Sequence, residues 1–146
     1  MKKRYAIGID PGVQTGFAWY DRQQKEMVEF NTANFWEVYH RFASETAWRF
    51  ECIVVIEVPN SKRPMYRRID NNSDVGRIRE NMSAKIGSNR REAELLADGL
   101  EQLGYEARRV TPSRTKLDAE QFARRTGIKA RTSQHVRDAV MLVYGL

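Results

Sequence analysis

Residues 51–58, Glu-Cys-Ile-Val-Val-Ile-Glu-Val, constrain the fold more than any other stretch of the chain. A β-branched run without polar alternation is the pattern of a strand buried on both faces, and therefore central in a sheet. Pro59 ends it. The flanking patterns supply its neighbours. Residues 4–10, with Ala6 and Gly8 on one face and Ile7 and Ile9 on the other, read as a strand stopped by the Pro11-Gly12 turn. Residues 15–21 and 26–32 read as two more, and the short connections predict an antiparallel meander. A fifth strand is expected at 105–110.

Between the strands the period changes to that of a helix. Phe35, Val38, Tyr39, Phe42 and Thr46 share one stripe of a helix expected over 34–50, and Asn34 with Glu37 forms a capping box at its start. A second helix is expected at 89–103, capped by Asn89 and Glu92 and closed by Gly104. Thr111 as cap and Pro112 at the first helical position suggest a third, running to about Thr126 before Gly127. A last helix should begin near Thr132 or Ser133 and run to the C-terminus, with Val136, Val140 and Val143 on its apolar side. The order β-β-β-α-β-α-β-α-α predicts an α/β fold: a mixed five-stranded sheet with helices on both faces. At 146 residues, one domain over 1–146 is expected, with residues 60–87 left as a polar, basic loop or arm.

Charge distribution points to the partner. The chain carries 25 Lys and Arg against 19 Asp and Glu, a net of +6. Residues 60–91 hold nine basic residues and three acids, including Lys62, Arg63, Arg67, Arg68, Arg77 and Arg90. Residues 108–131 hold eight basic residues and two acids, including Arg114 and Lys116. Each block is +6 and the remainder is −6. A solvated face would explain one such block. Two arginine-rich blocks, with the acids gathered elsewhere, favour a phosphate backbone. The single cysteine, Cys52, excludes an internal disulfide framework and a cysteine zinc cluster, and is expected as a small buried side chain. No apolar run is long enough to span a bilayer, and the apolar stretch before Asp10 is too short for a signal peptide.

Three acids stand where packing alone would not place them. Asp10 ends the first strand, Glu57 ends the most apolar one, and Asp138 lies in the last helix between Val136 and Val140. His135 is three residues before Asp138, on the same helical face. Singly, Asp10 suits a turn, Glu57 a solvated strand end, and His135 with Asp138 a surface pair. If the first and fourth strands are parallel neighbours, however, Asp10 and Glu57 emerge together at the carboxyl edge of the sheet, where α/β sites form. Clustered carboxylates stay ionised when a cation binds, and oxygen ligands suit Mg²⁺ or Mn²⁺.

Those residues carry a family resemblance. Ile7-Gly8-Ile9-Asp10-Pro11-Gly12 with Thr15-Gly16, Ile56-Glu57, and Ser133 to Ala139 with its His135-x-x-Asp138 pattern resemble the motifs of RuvC-type Holliday junction resolvases, members of the ribonuclease H-like superfamily. Thr111-Pro112 with Lys116 resembles the segment that supplies a basic residue near the active site. The resemblance implies a ribonuclease H-like fold and a metal-dependent endonuclease. Asp10, Glu57 and Asp138 would be metal-binding catalytic carboxylates, with His135 a fourth metal ligand or a proton-transfer group. Two Mg²⁺ or Mn²⁺ ions per site, Lys116 at the scissile phosphate, a homodimer on a four-way DNA junction and a cytoplasmic location (the bacterial nucleoid or a phage-infected cell) follow from the same likeness. Its base-wedging aromatic would correspond to Tyr66, whose alternative is an ordinary loop aromatic. The compact length resembles that of phage or mobile-element members. Two other functions remain open at this point: a nuclease of the same fold acting on structured RNA such as a ribosomal RNA precursor, and a nucleic-acid-binding module without catalysis.

Overall fold

The computed structural model describes residues 2–59 and 73–146, with side chains described outside 73–86. The five strands are β1 (Tyr5–Asp10), β2 (Thr15–Asp21), β3 (Glu26–Ala33), β4 (Cys52–Glu57) and β5 (Glu106–Val110). They form one sheet in the order β3-β2-β1-β4-β5. β1 pairs antiparallel with β2 and parallel with β4; β2–β3 is antiparallel and β4–β5 parallel. The expected meander and the central, fully buried β4 are both present.

Strand parity divides the core into two layers. Ile7, Ile9, Phe17, Val54 and Ile56 face one side, where Val38 and Phe42 of α1 (Phe35–Ser44) meet Ala93, Leu96, Ala97 and Leu100 of α3 (Ser73–Gln102). Ala6, Ala18, Tyr20, Ile53 and Val55 face the other, against Phe122 of α4 (Ala119–Thr126) and Val136, Ala139, Val140 and Val143 of α5 (Gln134–Val143). Helices thus cover both faces, as the continuous β4 pattern requires.

The helices depart from the sequence expectation in four places. The helix expected over 34–50 is two: α1, with the Asn34–Glu37 capping box, and a single turn α2 (Trp48–Glu51). Thr46 is exposed between them rather than on an apolar stripe, because the chain must turn there to enter β4. Residues 73–87, expected as loop, are the first half of the 30-residue α3. Their Arg, Lys, Glu, Met and Ala are good helix formers. The charge and the two glycines, Gly76 and Gly87, masked that propensity, and Asn89 and Glu92 lie inside the helix instead of capping it. Thr111-Pro112 does not open a helix: α4 begins at Ala119 with an Asp118–Gln121 capping box, leaving 111–118 irregular. Lastly, α5 stops at Val143 instead of continuing to the C-terminus; Tyr144 is extended and Gly145 has φ +84°. The predicted closures at Gly104 (φ +91°) and Gly127 (φ +76°) are both left-handed, as those helix ends require.

Trp19 packs edge-on to Trp48 at 4.8 Å between centroids. Trp36 is 61% exposed on the outer side of α1. Cys52 is buried, as expected, and His40 is exposed.

Candidate active site

Three local features bring the acids together. The parallel β1–β4 register pairs Ile9 with Ile56, so the next residues, Asp10 and Glu57, leave the sheet side by side. Parity puts both on the face of Ala6 and Val55, which is the face α5 covers. Ser133 caps α5, its Oγ accepting from Val136 N at 3.2 Å, and the buried stripe Val136-Ala139-Val140-Val143 fixes the helix rotation. That rotation turns Asp138 onto the sheet edge.

The approach of α5 depends on glycine. A Cβ at Gly8 would overlap the Ala139 carbonyl, and one at Gly16 would overlap the His135 carbonyl. Both positions are small because helix backbone lies directly on the sheet there. Asp10, Glu57 and Asp138 consequently offer carboxylate oxygens that all lie within 4.8 Å of one another. Asp10 is 6% and Glu57 8% exposed.

Each carboxylate has a polar partner. His135 Nδ1 is 2.8 Å from Asp10 Oδ2. An ionised carboxylate only accepts, so Nδ1–H donates, and in the neutral ring Nε2 keeps its lone pair. Lys116 Nζ donates to Asp138 Oδ2 at 2.7 Å and to Glu57 Oε1 at 3.2 Å. Gln134 Nε2 donates to Asp138 Oδ1 at 2.8 Å. Burial raises the Asp10 carboxyl above its ordinary range, against the opposing hydrogen bond from His135. Burial and then the neighbouring Asp10 charge raise Glu57. Burial works against the Lys116 ammonium, but Asp138 and Glu57 outweigh it and raise its pKa.

A stability prediction follows with a definite sign. Carboxyl groups with raised folded pKa values hold protons that the unfolded chain has released, so ionisation opposes folding. The metal-free protein should lose stability as pH rises from the ordinary carboxylate range through the raised values of Asp10 and Glu57. A divalent cation should restore it. Thermal melts across that pH range, with EDTA and with Mg²⁺, measure both effects. A chain whose stability in EDTA climbs through that window would contradict the electrostatic picture.

Of the residues singled out from sequence, Asp10, Glu57, Asp138, His135 and Lys116 converge here. His135 touches Asp10 but does not belong to the mutually converging oxygen set. Arg114 is exposed on the 111–118 segment, and Arg90 is half-buried on α3. Arg77 lies in the N-terminal half of α3. Lys62, Arg63, Tyr66, Arg67 and Arg68 fall outside the described residues.

Some of the basic charge counted from sequence is already committed. Arg109 of β5 bonds Glu94, Asp98 and Glu101 of α3 at 3.1, 2.6 and 2.6 Å. Arg108 pairs with Glu106 at 2.9 Å. Arg109 thereby ties β5 to α3, whereas the Arg108 pair stays within one strand and on the surface.

Arg137 is a site residue that the sequence reading missed. Its guanidinium donates to Leu117 O at 3.1 Å, Thr132 O at 2.6 Å and Gln134 Oε1 at 3.0 Å. It therefore ties the backbone beside Lys116 to the start of α5 and orients Gln134 toward Asp138. Its only sequence signal was a position between His135 and Asp138, which charge counting overlooked. Arg137→Met should destabilise the fold by about 2 kcal/mol, since several hydrogen bonds to a charged group are lost. Chemical denaturation measures it, and an unchanged midpoint would refute the bracing role.

No family model matches the chain, and no curated protein matches it in sequence. Among solved structures it is similar to T. thermophilus RuvC in complex with Holliday junction substrate, at 14% identity and a TM-score of 0.57. The match covers 97% of this chain and 92% of that one. The fold is ribonuclease H-like. Its ribonuclease H-like sheet accounts for the site's location: the acids occupy the carboxyl ends of adjacent parallel strands, with a helix supplying the third. Among the described residues, no helix is long and apolar enough to cross a membrane.

Proposed function

We propose that this chain is a metal-dependent, structure-selective endonuclease that hydrolyses phosphodiesters in branched DNA, a Holliday junction resolvase. The observation that carries the reading is the convergence of Asp10, Glu57 and Asp138 within 4.8 Å at the sheet edge. Two buried acids beside a half-buried third would be costly to hold together without a cation, and an all-oxygen donor set fits Mg²⁺ or Mn²⁺. The likeness to a protein bound to a Holliday junction supports branched DNA as substrate.

Asp10, Glu57 and Asp138 would hold the cations, two per site, with His135 beside them. Bound there, Mg²⁺ or Mn²⁺ would supply the Lewis acidity and charge neutralisation that phosphodiester hydrolysis needs. The remaining chemistry belongs to the side chains. His135, held by Asp10 through Nδ1, has Nε2 available to take a proton from water or to return one to the leaving oxygen. Lys116 can present Nζ to a phosphate oxygen. Arg90, Arg114 and the basic residues of 60–91 would grip the backbone on either side. A homodimer would set two such sites on one four-way junction, and analytical sedimentation tests that state.

The decisive experiment compares synthetic four-way junctions with linear duplex, flap and structured-RNA substrates in Mg²⁺ or Mn²⁺. Junctions should be cut and linear duplex spared. Preferential cutting of structured RNA would move the assignment to an RNA nuclease. Tight, salt-sensitive binding without cutting of any substrate would mark a binding module. EDTA should abolish cleavage while preserving most junction binding, because the basic residues and the acids do separate jobs. Gel-shift and cleavage assays run side by side read both.

A further inference from the structure

We infer that the Lys116 ammonium is the resident counter-ion of the carboxylate cluster, and that a divalent cation must displace it to load the site. The inference rests on the metal-dependent reading above and concerns the order of events within it. Lys116 Nζ bridges Asp138 Oδ2 at 2.7 Å and Glu57 Oε1 at 3.2 Å, so it engages two of the three acids that would hold metal. A lone pair directed at an ammonium is not available to a metal ion. The ammonium and a cation drawn by the same oxygens compete for one region of space.

The surroundings provide somewhere for the lysine to go. Lys116, Thr111, Ser113 and Thr115 line a cavity of about 440 Å³ that also reaches Glu57 and Asp138. The lysine stem is flexible, and an ammonium is readily hydrated or hydrogen-bonded by hydroxyls. The main chain beside it is held by Arg137, which donates to Leu117 O at 3.1 Å. The side chain can therefore swing while its backbone stays in register with α5. Before loading, Nζ partly neutralises the acids. After loading, it faces the cavity beside the Thr111, Ser113 and Thr115 hydroxyls and Arg125, as a donor for an anion. Metal binding thus converts a self-neutralised cluster into a site that is receptive to phosphate, with the Lys116 ammonium passing from the acids to the anion.

The test needs neither DNA nor turnover. The full chain is titrated with MnCl₂ or MgCl₂, binding is followed by calorimetry, and lysines are labelled briefly with an amine-reactive reagent and quantified by mass spectrometry. The exposed Lys25 and Lys129 serve as internal standards. Lys116 labelling should rise several-fold as the cation binds, while the standards stay constant. Unchanged or reduced Lys116 labelling during measured cation binding would overturn the inference and leave the metal reading standing. Absence of any bound cation would overturn both together. In Lys116→Met, the cation should bind roughly tenfold more tightly, the scale of one charge-assisted contact removed from the metal-free state. Equal or weaker binding by that variant would show that the lysine assists the cation instead of competing with it.

Discussion

Asp10→Asn should cut four-way junctions at least about 10³-fold more slowly than the parent chain while melting at a higher temperature. The activity loss follows from removing an anionic oxygen from the centre of the converging set, where charge stabilisation supplies several kcal/mol. The stability gain follows from the same burial. Asp10 is 6% exposed, and desolvation raises its carboxyl pKa despite the His135 hydrogen bond. Asn keeps the shape and can still meet His135, but carries no charge to bury. A rise of on the order of 3 °C corresponds to about 1 kcal/mol in a chain of this size. Single-turnover cleavage and calorimetric melting together test the pairing of effects. Persistent cutting would remove Asp10 from the mechanism, and a lower melting temperature would contradict the stored electrostatic penalty.

Gly16→Val should be the most damaging single change to the fold. The Gly16 Cβ position is already filled by the His135 carbonyl and its neighbouring backbone, so no rotamer change relieves the overlap. Helix α5 must lift from β2, and its buried stripe of Val136, Ala139, Val140 and Val143 must lift with it. Overpacking against backbone costs about 3 kcal/mol or more. Because His135 and Asp138 ride on that helix, cation binding should fail even in molecules that remain folded. Gly127→Ala is the comparison, since nothing lies within 4 Å of its Cβ position. Its φ of +76° makes it mildly unfavourable, but it should leave cation binding intact. Denaturation and calorimetry on both variants distinguish backbone strain from loss of the helix seat. Equal effects at the two positions would refute the close-approach argument.

The parts of this architecture legible in the sequence were those with short, strict periodicity. The β-branched run of β4, the alternating β1 and the 15–21 strand stood within a residue or so of their observed bounds. Cap chemistry read well where a side chain and its partner were three residues apart, as at Asn34–Glu37. It misled at Thr111-Pro112, where the true cap, Asp118, lies seven residues later. The long α3 was half missed because charged residues suit a solvated helix as well as a loop, and only the packing of its second half reveals the element.

The acids themselves announced the candidate site: Asp10 and Glu57 ended apolar strands, and His135 and Asp138 shared a helical face. Their convergence was conditional on β1 and β4 being parallel neighbours, which residue order alone does not specify. The charge blocks were also only half the story, since Arg109 is spent on Glu94, Asp98 and Glu101, and that pairing joins β5 to α3 across the fold.

What the sequence determined by itself was therefore local: which segments bury apolar side chains, where strands end, and which end on a carboxylate. Tertiary structure decided the distances. It brought Asp10, Glu57 and Asp138 within 4.8 Å, seated α5 on Gly8 and Gly16, and laid Lys116 across two of the acids. The physical reason is range. Backbone propensity and hydrophobic period act over a few residues, whereas the electrostatics of this cluster depend on three carboxylates 47 to 128 residues apart meeting at one largely buried sheet edge.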